Sequence, residues 1–267
     1  MKTLHSPDFS WPVVRRKAAA ELLDLVAEFS EIAITRGRSI VWKSGYPSRT
    51  AYWMAVSRLR KAGLIARRRT DGGTPVLKLS AKGKSMLPDD LRPERFWQQR
   101  WNGVWYLLSY DVPEVDRKYR HTLRTFLKRL RMGLLHRSVW ITWRDIRPEY
   151  HDLCEAASVQ DFAMLFETRT VLGLDPERLV GSVWPMDRVE EMHNAYLEQG
   201  RRVLVDVEAD KIPPEAMTSL AHREIAAYHE AMQRDPLLPR ALWPSSYRGQ
   251  DVYRLHRQLV QTIGRRL

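Results

Sequence analysis

The stretch SRTAYWMAVSRLRKAG, residues 48–63, decides how the rest of the chain is read. At helical spacing Ala51, Ala55, Leu59 and Ala62 fall on one stripe, with Tyr52 and Val56 at its border. The opposite face carries Arg49, Thr50, Trp53, Ser57, Arg60 and Lys61. Ser48 suits the N-cap, because its hydroxyl can accept from an orphan backbone N–H. Gly63 suits the C-cap, because glycine enters the left-handed conformation without steric cost. Small inner residues let such a helix sit close to its neighbours. An outer stripe of Arg, Lys, Ser and Thr is what a helix needs in the DNA major groove. A helix whose outer face is merely solvated is the competing reading.

Working outward toward the C-terminus, LIARRR reads as a strand, TDGGTP as a turn and VLKLS as a second strand. Asp71, Gly72 and Gly73 supply the turn chemistry of a hairpin. A helix followed by a basic hairpin is the layout of a winged helix-turn-helix. Arg67, Arg68 and Arg69 would then lie beside a phosphate backbone. Toward the N-terminus, residues 13–29 predict a helix with Leu22, Leu25, Val26 and Phe29 inside, and 32–42 a short middle helix. Tyr46-Pro47 breaks the chain before the next helix starts. SAKGKSML opens a closing helix. Residues 1–87 therefore form a candidate DNA-binding domain. Residues 88–103 read as a linker punctuated by Pro88 and Pro93, with Trp97 and Trp101 assigned to core packing rather than base stacking.

A chain of 267 residues, 44% hydrophobic and 28% charged, has room for about two domains with real cores. No apolar run approaches the roughly 20 residues of a membrane span, and MKTLHSPDFSWP has no apolar signal core. Cys154 is alone, which rules out an intrachain disulfide, is too little for a structural zinc site of the usual kind, and fits a cytoplasmic protein. The net charge of +12 is uneven, with +11 on residues 1–100, +5 on 101–150 and −4 on 151–267. A polyanion at one end suits this better than a uniformly membrane-adhesive surface.

The second unit begins with VWYLLSYDVP, a strand leading into Asp111. EVDRKYRHTLRTFLKRLRMGLL predicts a helix with Tyr119, Leu123, Phe126, Leu127 and Leu130 inside and seven Arg and Lys residues on its remaining surface. HRSVWITWRD reads as a strand, PEYHDLCEAAS as a helix, DFAMLFET as a strand and LVGSVW as a last short strand. This alternation predicts a ferredoxin-like α/β domain over 104–184. From Pro185 the pattern turns helical, giving a C-terminal helical domain over 185–267 with a proline-punctuated loop, DPLLPRALWPSSYRG, before its last helix. The fold class expected is thus α+β and multidomain.

Three motifs carry a resemblance. Ala55, Ser57, Arg58 and Leu59 form an A-x-S-R-L core; Trp101, Gly103, Trp105, Leu107 and Tyr110–Glu114 form W-x-G-x-W-x-L-x-x-Y-D-V-P-E; Arg234, Asp235, Pro236, Leu238 and Pro239 form R-D-P-x-L-P. In this order the chain resembles the PaaX-type bacterial transcriptional repressors, named for control of phenylacetic acid degradation. The resemblance implies a winged helix-turn-helix, a ferredoxin-like central domain and a helical tail. It also implies a homodimer that represses a catabolic operon and is released by an aryl-CoA thioester. The family places Arg two residues before the Ala of its helix, where this chain has Trp53. Trp53 could meet a thymine methyl instead of a guanine edge, or turn inward.

The central unit also resembles the small ferredoxin-like protein of CRISPR spacer acquisition. That likeness implies metal-dependent nuclease activity, with Asp111 as a Mg²⁺ ligand facing its symmetry mate. The competing reading makes Asp111 a helix-start residue ahead of Pro113. No phosphate-binding loop, zinc-protease or nucleophile-elbow pattern is present, and no His pair has metal spacing on one helix. An effector pocket has no motif of its own. Arg201, Arg202 and Arg223 are the candidate phosphate contacts, against a plain reading as surface arginines. The resulting expectation is a non-enzymatic repressor that binds a double-stranded operator through Arg49, Thr50, Trp53, Ser57, Arg58, Arg60, Lys61 and Arg67–Arg69, with no resident cofactor. The alternative is a nuclease working through Asp111 and Mg²⁺.

Overall fold

Gly63 stops the helix that residues 48–63 predict. It adopts φ +71°, and its N–H donates to the Arg60 carbonyl while Leu64 N–H donates to the Leu59 carbonyl. These two bonds form a Schellman cap, which satisfies the last carbonyls of the helix. The computed structural model describes residues 56–57, 59–69, 75–85, 92–112, 117–157 and 159–266. The helices expected at 13–29 and 32–42, and the first half of the 48–63 helix, lie outside these residues. After the cap come β1 (Ile65–Arg69) and β2 (Pro75–Leu79), paired antiparallel with Arg67 opposite Leu77 and Arg69 opposite Pro75. A short helix, α1 (Ala81–Ser85), follows as expected.

The described residues divide into two units. One combines Glu94–Glu191 with Arg234–Tyr247; the other contains the hairpin, Met192–Gln233 and the C-terminal helix. In the first unit, α2 (Glu94–Trp97) precedes β3 (Trp105–Tyr110), α3 (Arg117–Arg129), β4 (Gly133–His136), β5 (Val139–Thr142), α4 (Arg147–Ala157), β6 (Ala163–Thr168) and α5 (Pro176–Val183). The sheet order is β4-β5-β3-β6 with every neighbouring pair antiparallel. Two strand–helix crossovers around a central hairpin make the βαββαβ ferredoxin-like layout. Its core joins Tyr106, Leu108 and Trp140 of the sheet to Tyr119, Leu123 and Leu127 of α3.

Two expectations for this unit are corrected. GLLH is strand β4 and not the end of the preceding helix. The helix stops early because Arg131 takes φ +57°, with its N–H on the Lys128 carbonyl and Met132 N–H on the Leu127 carbonyl. This is a second Schellman cap, built on an arginine where sequence reading looks for glycine. LVGSVW, expected as a strand, lies in helix α5 and its C-cap. Asp175 caps that helix by accepting from Arg178 N–H at 2.8 Å, Pro176 starts it, and Leu179, Val180 and Val183 form its buried stripe. The fourth strand of the sheet is β4, whose Gly133 leaves room for Val183 and Trp184 where a Cβ would lie 1.9 Å and 2.9 Å from them.

The proline-punctuated loop belongs to this same unit. Asp235 is fully buried, accepting from Leu237 N–H at 2.7 Å and from the Tyr247 hydroxyl at 2.7 Å. Trp97 donates to the Tyr247 oxygen at 3.0 Å and packs edge-on against Trp243. Trp101 packs on Trp105, and Gly103 makes the turn between them at φ +73°. Both tryptophans therefore serve packing, as expected.

The second unit contains most of α6 (Met186–Glu208), then α7 (Pro214–Met232) and α8 (Gly249–Arg266). Buried Glu224 on α7 accepts from the Tyr196 hydroxyl and pairs with His256 Nδ1 at 3.0 Å. The His256 ring stacks on Tyr228 with centroids 3.7 Å apart. No helix among the described residues is long and apolar enough to cross a membrane.

Candidate nucleic-acid interface

The described part of the candidate reading helix has two faces. Val56 and Leu59 are buried, at 3% and 5% exposure, while Ser57, Arg60 and Lys61 face solvent. Ala62, expected on the inner stripe, is exposed because the helix has already ended there. Arg49, Thr50, Trp53 and Arg58 lie outside the described residues. The backbone of Arg67–Arg69 runs along β1, the first strand of the hairpin.

What joins helix to hairpin is a set of residues that sequence reading left without a role. Ser80 Oγ donates to backbone carbonyls at the helix end, reaching the Leu64 oxygen at 3.1 Å. Ser80 Oγ in turn accepts from Gly83 N–H at 2.9 Å and so caps α1. Ser80 N–H donates to the Leu64 carbonyl at 2.9 Å. Lys82 Nζ reaches the Ala62 carbonyl at 2.9 Å, placing a cation at the negative end of the helix dipole. The backbone of Gly83 passes so close that a Cβ there would sit 2.0 Å from the Leu64 oxygen. The exit of the helix and the return strand are thus tied at one point. The legible signal was Ser80 ahead of AKGK, a capping residue before a short helix.

A second cationic surface lies on the ferredoxin-like unit. Asp111 follows β3 directly; it is exposed, and its N–H donates to the Phe162 carbonyl at 2.8 Å. It lines an open cleft of about 410 Å³ with Tyr110, Arg120, Arg124, Arg137 and Ser138. Arg120 is anchored by a hydrogen bond to the Val112 carbonyl at 2.8 Å. Arg137 sits in the β4–β5 turn at φ +44°, a place the sequence reading did not single out.

These neighbours do not suit a divalent cation. Mg²⁺ takes several oxygen ligands, whereas the described lining offers one carboxylate and three arginines, whose positive charge opposes a cation. No group of three or more His, Cys, Asp or Glu that could hold a metal ion occurs among the described residues. The described lining of the cleft, with three arginines to one carboxylate, favours an anion.

Of the candidate effector arginines, Arg201 and Arg223 are exposed, and Arg202 pairs with Glu198 one turn away on α6. The motif residues of the proline-rich loop are structural: Asp235 holds Leu237 in the left-handed region at φ +49° and receives Tyr247.

Comparison with known proteins places this geometry. Residues 98–180 match the PaaX protein central Cas2-like domain, and residues 184–266 match the PaaX-like protein C-terminal domain. The transcriptional repressor PaaX of Escherichia coli (strain K12) is 24% identical over 216 residues, a match spanning 79% of this chain and 64% of that repressor. The chain thus aligns with slightly less than two thirds of that relative. Among solved structures, the uncharacterized protein Rv0674 from Mycobacterium tuberculosis shares the fold, with a TM-score of 0.54 over 93% of this chain and 97% of that one at 19% identity.

Proposed function

The chain belongs to the PaaX-type repressor family, and on that premise we propose that it is a DNA-binding transcriptional repressor of a catabolic operon. The observation that carries this reading is the two-faced helix capped onto a hairpin, ahead of the family's central and C-terminal segments. In this reading Arg49, Thr50, Trp53 and Ser57 face base edges, being nearest the N-terminus of the helix. Arg60, Lys61 and Arg67–Arg69 mostly hold phosphate, and Arg58 is a further DNA-binding residue. The protein acts as a homodimer on half-sites about one helical turn, or a multiple of it, apart. A small-molecule effector, a CoA thioester on the family resemblance, releases it. The alternative nuclease reading rests on the likeness of the central domain and on Asp111, and no group of three or more metal-ligating residues among the described ones adds to it.

The reading has an asymmetry that binding assays resolve. Arg68→Ala should weaken binding to operator and random duplex alike. It should also lower the slope of log K against log salt by about 0.9, because one phosphate is no longer neutralised. Replacing Arg49 or Thr50 by Ala should cost about 1–3 kcal/mol at particular base pairs and leave random-duplex binding nearly unchanged. Equal behaviour of the two classes of variant on specific and random DNA contradicts the assignment.

A further inference from the structure

We propose that the ferredoxin-like unit carries its own phosphate-backbone contact, a nucleic-acid surface formed by the outer face of α3 and the β4–β5 turn. The proposal rests on the chain being a DNA-binding protein and extends that reading to a second surface. Arg117, His121, Arg124 and Lys128 recur at i, i+4, i+7 and i+11, so they form one exposed stripe opposite buried Tyr119, Leu123 and Leu127. Arg129 is exposed beside the stripe, and Arg137 joins Arg124 at the cleft. α3 contains no Asp or Glu, and no ion pair is found for Arg117, Arg124, Lys128, Arg129 or Arg137 among the described residues.

A solvated helix face normally mixes its charges, because like charges three or four residues apart destabilise the helix. Among the described residues no carboxylate forms an ion pair with this stripe, which is the arrangement a polyanion relieves. The shape selects the kind of polyanion. From Arg117 to Lys128 the stripe runs about 16 Å at the helical rise, enough to meet several consecutive phosphates of one strand. A single small phosphorylated molecule would need donors focused on one point. Asp111, exposed in the cleft lining, is the one carboxylate among the described cleft residues and opposes the binding of phosphate.

The test uses the full chain and a random-sequence 40-bp duplex, with binding followed by fluorescence anisotropy across a salt series. The double variant Arg124→Ala/Arg137→Ala should lower the slope of log K against log salt by about 1.8, or about 0.9 for each phosphate no longer neutralised. Arg124→Lys/Arg137→Lys should retain the slope, and Asp111→Asn should tighten binding several-fold. Unchanged thermal unfolding of each variant separates a weakened surface from a damaged fold. An unaltered slope in the double Ala variant overturns the proposal. So does a variant that loses inorganic pyrophosphate binding by calorimetry while keeping the duplex slope, since the cleft would then be a small-anion site. Arg68→Ala measured in parallel keeps the two surfaces distinct. If only Arg68→Ala lowers the slope, the wing stands and this surface falls; if only the double variant does, the wing falls and this surface stands.

Discussion

Gly83 shows how much a single residue can decide. In an ordinary short helix, replacing Gly by Ala gains up to about 1 kcal/mol of helix propensity. Here the added methyl would lie 2.0 Å from the Leu64 carbonyl oxygen, a backbone atom fixed by the capped helix and by Ser80. Gly83→Ala should therefore destabilise by about 1–3 kcal/mol, the range of overpacking, and weaken duplex binding by loosening the wing from the helix. Urea unfolding read beside duplex affinity checks both effects. A stabilised variant would mean that the junction yields easily. Tyr247 is a second such residue. Burial, then the neighbouring Asp235 carboxylate, pushes its hydroxyl well above the ordinary tyrosine range. Its folded pKa is raised, so its contribution to stability is complete below the unfolded value of about 10 and is lost as pH rises beyond it. Tyr247→Phe should lose about 1–3 kcal/mol at neutral pH, because Asp235 Oδ2 and Trp97 Nε1 both lose their partner. It should also flatten the fall in stability above pH 10, which urea melts at several pH values would detect. The R-D-P-x-L-P motif was legible as a motif. That it builds a buried turn for Leu237 and Tyr247 was not, because these partners are far from Trp97 in sequence and nothing in their spacing pairs them.

At the scale of elements, legibility followed how much of each signal was local. The end of the 48–63 helix was readable, since Gly63 is the residue type a left-handed cap favours, and the structure puts it there at φ +71°. The end of α3 was not, because Arg131 performs the same cap with a side chain that gives no warning. Its conformation is held from outside the helix, by the Arg131 guanidinium on the Asp235 carbonyl and by Trp184 Nε1 on the Arg131 carbonyl. Sequence reading therefore carried the helix through GLLH and missed β4. LVGSVW failed for a different reason. A short apolar run fits a buried strand or a helix stripe equally well, and the deciding signal, Asp175-Pro176, lies just upstream. That cap makes a quantitative prediction: Asp175→Ala should cost about 1 kcal/mol, and the loss should appear in unfolding of the unit that holds the sheet. An unchanged stability would show that packing of Leu179, Val180 and Val183 alone holds α5.

Across the whole molecule, the charge distribution and the family membership both support the proposed polyanion partner. The positive charge is concentrated in residues 1–150, which include the capped helix, the hairpin and the α3 face, while residues 151–267 are mildly negative. The helix with a basic hairpin, the alternation of strands and helices in the central unit and the helical tail were legible because each segment has its own hydrophobic period; the βαββαβ order was not, because β4 was read as helix and LVGSVW as the last strand. The α3–Arg137 surface was only half legible: the helix charges could be read, whereas Arg137 joins them through the β4–β5 turn that the sequence reading did not foresee. The most direct test of the central claim is a footprint of the full chain on the DNA upstream of its own coding sequence, repeated with a panel of CoA thioesters. A repressor of this family should protect a discrete site, with spacing of about one helical turn or a multiple between half-sites, and one thioester should release it. Protection no stronger than on random duplex, or a protected site indifferent to every thioester, would contradict the account.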